Sequence, residues 1–295
     1  MSEVPKKLEG TTVPPPPINT DEAEMPFLEH LRDLRDRLRN SIIALIAGFI
    51  VAFIFKQELF VLLVRPLQGA MAAKASSQPE LFQTSLYFTT PVEVVWVYFS
   101  LAFWAGLFLA SPVIFFQLWK FVAPGLYKNE RSYGVWFAIC SAVLFCSGAA
   151  FCYSIALQPT FEFLLSYSSE NLAKMTKGLG LEYELSAPIS LQPLLTMDGY
   201  LSFAKKLLLG FGLVFELPLL VFFLSKIGAV DHRMLWKFNR YAVVLSFVLA
   251  AFLTPPDYLS QIIMAGPIVI MYNLSIIVSW VVTRGRERKE QALGV

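Results

Sequence analysis

Glu216 is the residue of this chain with the clearest capacity for chemistry. It lies inside the run Leu207–Leu224, where nothing else can ionise. Lys206 stands ten residues before it and Lys226 ten residues after it. At about 1.5 Å of rise per helical residue, its carboxyl sits roughly 15 Å from either charged end. That is near the middle of a hydrocarbon core about 30 Å thick. A carboxylate there costs on the order of 2.5–3.5 kcal/mol by insertion scales. Two readings stand side by side. One is a neutral Glu hydrogen-bonded inside a helix bundle. The other is a polar contact offered to a partner helix, a substrate or a proton.

A second group of acids lies outside the apolar runs. Residues 26–40 place Leu28, Leu31, Leu34 and Leu38 at helical spacing, so one face is apolar. Glu29, Asp33 and Asp36 share this stretch with Arg32, Arg35, Arg37 and Arg39. Asp33 and Arg37 form an i,i+4 pair of favourable order. The segment reads as an amphipathic interfacial helix leading directly into a membrane span, or as a basic anchor and no more. Further on, Pro124-Gly125 marks a turn, and Glu130 follows it near the start of another apolar run. Glu130 alone reads as a solvated charge. Together with Glu29, Asp33 and Asp36 it could form an acidic site attractive to a cationic ligand.

Enzyme chemistry finds little support. The two histidines are His30 and His232. There is no His-Glu-x-x-His pair, no Gly-x-Ser-x-Gly elbow and no phosphate-binding Gly-rich loop. No metal or cofactor is implied. Cys140, Cys146 and Cys152 are six apart, so each turns about 240° from the last on a helix. They face three directions and read as small apolar fillers.

These side chains need elements to hold them. The chain is 56% hydrophobic, 16% charged, and has a mean hydropathy of +0.58. Soluble domains carry about 25% charged residues, so the expectation is an all-α integral membrane protein. Six spans can be drawn: 40–55, 92–118, 133–157, 200–224, 238–253 and 259–282. The segment 58–64 continues the first helix or lies at the interface. The fifth and sixth spans read as short, because Thr254-Pro-Pro-Asp257 forces a turn between them. Residues 1–25, with Pro14–Pro17 and no apolar signal-peptide core, read as a disordered tail. Residues 285–295 read as a second tail, leaving 26–284 as the membrane domain.

Basic residues set the expected orientation. With the N-terminus inside, segments 1–40, 119–132, 225–240 and 284–295 carry 6, 3, 4 and 4 Lys or Arg. The opposite loops 56–91, 158–199 and 254–258 carry 3, 2 and 0. The expectation is N-in and C-in.

Four separated motifs resemble one family. They are His30-Leu-Arg-Asp-Leu-Arg35, Phe121-x-Ala-Pro-x-Leu-Tyr-Lys-x-Glu-Arg131, Phe215-Glu-x-Pro218, and Leu253-Thr-Pro-Pro-Asp-x-x-Ser-Gln261. In this order, over residues 26–284, they resemble TatC, the multispanning core subunit of the twin-arginine protein translocase. The resemblance implies binding rather than catalysis. Its members receive twin-arginine signal peptides of folded substrates at the cytoplasmic face of the bacterial inner membrane. Two carboxylates implicated in meeting the arginine pair match Asp33, where the family usually has Glu, and Glu130. Guanidinium and carboxylate pair well, often bidentately. Glu29 is a neighbouring candidate, and Phe121 and Arg131 match positions beside that site. Glu216 matches a buried acid that receives the membrane helix of a TatA- or TatB-type partner, and Pro66 and Pro112 match structural features. The resemblance further implies an oligomeric complex in the lipid bilayer, driven by the proton motive force, with no nucleotide and no nucleic acid partner. The competing class is a proton-coupled solute transporter using Glu216. It would need several polar groups converging at mid-membrane, where Glu216 stands nearly alone.

Overall fold

The structure is a computed structural model, and it describes residues 20–75, 85–122, 133–166, 194–253 and 258–292. The described residues form nine α-helices. They are α1 (Thr20–Ile54), α2 (Lys56–Ala75), α3 (Pro91–Val122), α4 (Tyr133–Phe151), α5 (Leu157–Ser166), α6 (Met197–Phe215), α7 (Leu217–Lys226), α8 (His232–Leu253) and α9 (Tyr258–Ala292). A single wide π turn, Cys152–Ala156, joins α4 to α5 without a loop. Six stretches are long and apolar enough to cross a membrane: Leu31–Ile54, Pro91–Phe121, Gly134–Leu165, Met197–Lys226, His232–Phe252 and Gln261–Gly285. The fifth has 21 residues and the sixth 25, against 30 to 32 for the second, third and fourth. The fifth helix gains its length by starting at His232, before the expected boundary.

Six crossings bring both ends of the bundle's chain to one face, here called the terminal face. The loop face opposite carries the starts of α3 and α6. Two boundaries differ from expectation. Helix α1 begins at Thr20, inside the stretch read as a tail, and α9 runs on to Ala292. Once a span has nucleated a helix, adding residues is cheap. The segment 286–292 is rich in Arg, Lys, Glu and Gln, which are good helix formers.

The helices approach closely where side chains vanish. Gly48 on α1 meets Gly106 on α3 so tightly that a Cβ on Gly48 would lie 2.6 Å from the Gly106 carbonyl oxygen. Helix α1 packs chiefly on α3 and leaves Ile42, Ile46, Ile50 and Ile54 exposed on its other side. Gly148 on α4 meets α6 in the same way: a Cβ there would lie 2.5 Å from the Phe211 carbonyl oxygen. Small residues that let backbones approach are the usual means of helix association in lipid. The main core gathers Leu67, Val97, Leu157, Leu201, Leu207, Phe211 and Met264 from five helices.

Proline breaks are repaired by hydroxyls. Pro66 in α2 cannot donate to the Leu62 carbonyl. The Tyr153 hydroxyl from the wide turn donates to that carbonyl at 2.8 Å, and the Tyr200 hydroxyl donates to the adjacent Leu63 carbonyl at 2.5 Å. Pro112 in α3 likewise leaves Phe108, whose carbonyl accepts from Ser111 Oγ at 2.7 Å. In a medium without water, such substitutes are what make a broken helix tolerable.

The loop face is tied by Glu93 at the start of α3. Its Oε2 accepts from the Thr89 backbone N–H and hydroxyl, both at 2.6 Å. Its Oε1 accepts from the Asp198 N–H at 3.3 Å, at the first turn of α6. Tyr87 bridges to the same place, through its N–H to Leu195 O and its O from the Met197 N–H. At the far side α8 and α9 are joined by Tyr272 donating to Leu235 O at 2.9 Å and Gln261 donating to Phe247 O at 2.9 Å.

Spacing by six puts the three cysteines on different faces. Cys152 is buried, whereas Cys140 and Cys146 are exposed, and Cys146 Sγ lies 4.0 Å from Ser111 Oγ on α3.

Candidate functional site

Two polar places follow from this scaffold. The first lies on the terminal face. From the Gly48–Gly106 crossing, Asp33 on α1 and Phe121 on α3 are each fifteen residues away along antiparallel helices. Both therefore sit roughly 22 Å beyond the crossing, at matched depth. Asp33 Oδ2 accepts from Arg37 Nη2 at 2.6 Å. Its carboxylate is 46% exposed, whereas the Arg37 side chain is only 11% exposed. Asp36 lies between Arg39 at 3.4 Å and Arg35 at 3.6 Å. Phe121 is half-buried. Glu130 and Arg131 lie outside the described residues, as does the side chain of Glu29.

The second place is the break in the fourth span. Glu216 ends α6, and Pro218 opens α7. The proline has no N–H to continue the ladder, and the Glu216 N–H turns back to Leu213 O at 3.2 Å. Its carboxyl points across to α4, near Ser141 and the Phe145 backbone. Ser141 Oγ accepts from the buried Trp119 Nε1 at 2.7 Å, which leaves the serine proton free to face the Glu. Glu216 Oε1 is buried and lacks a hydrogen-bond partner. The side chain as a whole is half-buried, so the break is a notch in the bundle wall rather than a sealed core. A carboxyl with one oxygen unanswered in an apolar wall is open to a donor from outside.

One buried charge is absent from the sequence-based expectations. Lys205 on α6 is 5% exposed, and its Nζ donates to Ser100 Oγ on α3 at 2.6 Å. Lys206 reads as the edge of the apolar run, and that edge hides its neighbour. A signal exists nonetheless: Gly212 and Glu216 each fall within about 20° of Lys205 on a helical wheel. The three share the inward side of α6, with Gly212 against Phe145 between the two ionisable groups. At the other polar turn, between α7 and α8, Asp231 lies 2.7 Å from His232 Nδ1. Burial pushes the Asp231 carboxyl up, but the adjoining His232 and Thr283 together hold it below the usual carboxylate value. Among the described residues no group of His, Cys, Asp and Glu could hold a metal.

Comparison with known proteins fits this architecture. A family model described as Sec-independent protein translocase protein (TatC) matches residues 29–267. The chain is 36% identical over 274 residues to the Sec-independent protein translocase protein TatC of Desulforapulum autotrophicum, covering 93% of this chain and 91% of that protein. It is 34% identical over 268 residues to the TatC of Aquifex aeolicus, covering 91% and 100%. A crystal structure of the twin arginine translocase receptor TatC aligns with a TM-score of 0.64 at 33% identity, over 86% of this chain and 99% of that one. A second, of the same receptor in DDM, gives 0.66 at 33% identity, over 85% and 99%. A match over most of the chain, in sequence and in fold alike, makes this multi-pass membrane protein a member of the TatC family of Sec-independent protein translocase proteins.

Proposed function

We propose that the chain is the receptor subunit of a twin-arginine translocase in a bacterial inner membrane. Both termini face the cytoplasm, and the membrane domain spans residues 26–284. The terminal face receives the arginine pair of a signal peptide. Asp33 and Glu130 supply the carboxylates, Glu29 is an auxiliary acid, and Phe121 and Arg131 flank the site. The observation that carries this reading is the matched depth of Asp33 and Phe121 at one end of the bundle. The segment bearing Glu130 starts directly after α3. The Arg37–Asp33 pair gives the site a resting state, because an incoming guanidinium exchanges with one already there. The cost of desolvating Asp33 is then partly met before the peptide arrives.

Glu216 is the contact for a single-span partner of TatA or TatB type. Its unanswered Oε1 and its half-open notch support that role. Folded substrates cross under the proton motive force, in an oligomeric assembly. The test is photocrosslinking of a twin-arginine peptide from probes placed through residues 27–40 and 119–132. Crosslinks at both segments, lost when the peptide's arginine pair is changed to lysine, support the reading. No crosslink from either segment, or crosslinks unchanged when the arginine pair becomes lysine, overturn it.

A further inference from the structure

We infer that a groove between the terminal-face ends of α8 and α9 holds one anionic phospholipid of the adjoining leaflet. The groove has a volume of about 340 Å³ and is lined by His232, Trp236, Ile276, Ile277 and Trp280. That volume lies within the range of about 300–1,000 Å³ usual for small-molecule sites. Its walls are two indoles and two isoleucines, and Trp236, Ile277 and Trp280 are exposed. The apolar lining suits an acyl chain entering from the side.

The rim is cationic. Arg284 lies one turn beyond Trp280 on the same stripe of α9, with its guanidinium carbon 5.0 Å from the centre of the indole ring. The contact holds the guanidinium by a cation–π attraction to the indole face. Arg284 is exposed, and no carboxylate among the described side chains pairs with it. Arg233 and Lys237 are exposed on the facing helix. The sequence beyond continues Arg286-Glu-Arg-Lys-Glu290, four cations to two acids when Arg284 is counted. Asp231, next to the groove in sequence, lies 2.7 Å from His232 Nδ1. Indoles at the level of the headgroups with guanidinium just beyond them match a phospholipid's two parts. The lined region covers little more than one turn of each helix. It is therefore too short to seat a spanning helix of a partner, which would need an apolar strip along the whole span.

The experiment is native mass spectrometry of the full chain in detergent, titrated with phosphatidylglycerol and with phosphatidylcholine of the same acyl chains. The wild type should bind the first phosphatidylglycerol the more tightly. Arg284→Gln should lose about fivefold in that affinity, the scale of one basic side chain at an anionic surface, with phosphatidylcholine unchanged. Trp280→Ala should weaken both lipids. Arg240→Gln serves as the control, because its guanidinium is held by Tyr241 at 4.6 Å and Arg240 is not among the groove-lining residues. Its affinities should match the wild type. Arg284 is exposed, so the variant at that position keeps the fold. Equal affinity of the wild type for the two lipids overturns the inference. So does an Arg284→Gln variant no weaker than Arg240→Gln, or displacement of the lipid by inorganic phosphate alone.

Discussion

The Tyr153 hydroxyl donates at 2.8 Å to the Leu62 carbonyl, the acceptor that Pro66 leaves without its helical donor. A wide turn in one span thus answers a carbonyl ninety-one residues away in sequence, one that a proline in another helix has left open. The Tyr200 hydroxyl adds a second donor at the neighbouring Leu63 carbonyl. These contacts fix α2 against the wide turn and α6 and so set the loop-side end of the bundle.

The repair has a measurable signature. Tyr153→Phe should lower thermal stability in detergent by about 0.6–1.7 kcal/mol, the scale of an interhelical hydrogen bond in lipid. Pro66→Ala restores the backbone donor, so Tyr153→Phe should cost clearly less in the Pro66→Ala background. Strictly additive effects of the two substitutions would show that the hydroxyl does not serve the proline's orphan.

The buried Lys205 gives a test of opposite sign. Ser100→Ala removes its hydrogen-bond partner and should destabilise the protein by about 1–3 kcal/mol, the cost of leaving a buried polar group unanswered. Ser100→Ala/Lys205→Met removes both groups and should recover most of that loss, because an apolar pair of similar volume carries no desolvation cost. The readout is the melting midpoint of the three variants: Ser100→Ala, Lys205→Met and the double. A double variant weaker than Ser100→Ala alone would contradict the account.

Orientation can be read directly. In a background lacking native cysteines, Cys placed at Ser76 or Ser169 should react with an impermeant thiol reagent added outside cells. Cys at Asn129 should stay unlabelled. The opposite pattern would invert the proposed topology and move the acidic site to the wrong side of the membrane.

Glu216 separates docking from proton relay. If it meets a partner helix as a neutral hydrogen-bonding group, Glu216→Gln keeps a donor and an acceptor and should retain crosslinking to the partner at this depth. Glu216→Leu should lose about 0.6–1.7 kcal/mol of that association and most export of a folded substrate. Normal crosslinking by both variants with no export by either would favour the relay.

Much of this architecture is legible in the sequence because lipid imposes a simple rule. Backbone groups must pair within a helix, so apolar length alone locates six spans. Boundaries are less legible. His232 to Arg240 looks polar, yet forms the first turns of α8, because its cations and Trp236 sit at the end of a span where long side chains reach outward. Glu216 stands out because nothing near it ionises. Lys205 does not, because Lys206 beside it supplies an apparent boundary, and only the packing of α6 on α3 turns one lysine inward and leaves the other exposed. The Pro66 repair is beyond sequence reasoning altogether, since its donor comes from a turn whose widening has no local signature. Of the terminal-face acids, the structure describes the Asp33 pairing with Arg37, a pair the i,i+4 spacing already indicates.

The central claim is that carboxylates on the terminal face receive the arginine pair of a signal peptide, and a binding isotherm tests it most directly. The measurement is the affinity of purified wild type and Asp33→Ala/Glu130→Gln for a fluorescent twin-arginine peptide, with a twin-lysine peptide as reference. Removing the partners of charge-assisted hydrogen bonds commonly costs about 1.5–3 kcal/mol, so the double variant should bind about ten- to a hundredfold more weakly. Asp33→Glu, which restores the side-chain length usual in the family, should bind as well as the wild type or better. A double variant that is folded, inserted and equal to the wild type in affinity for the twin-arginine peptide would contradict the account.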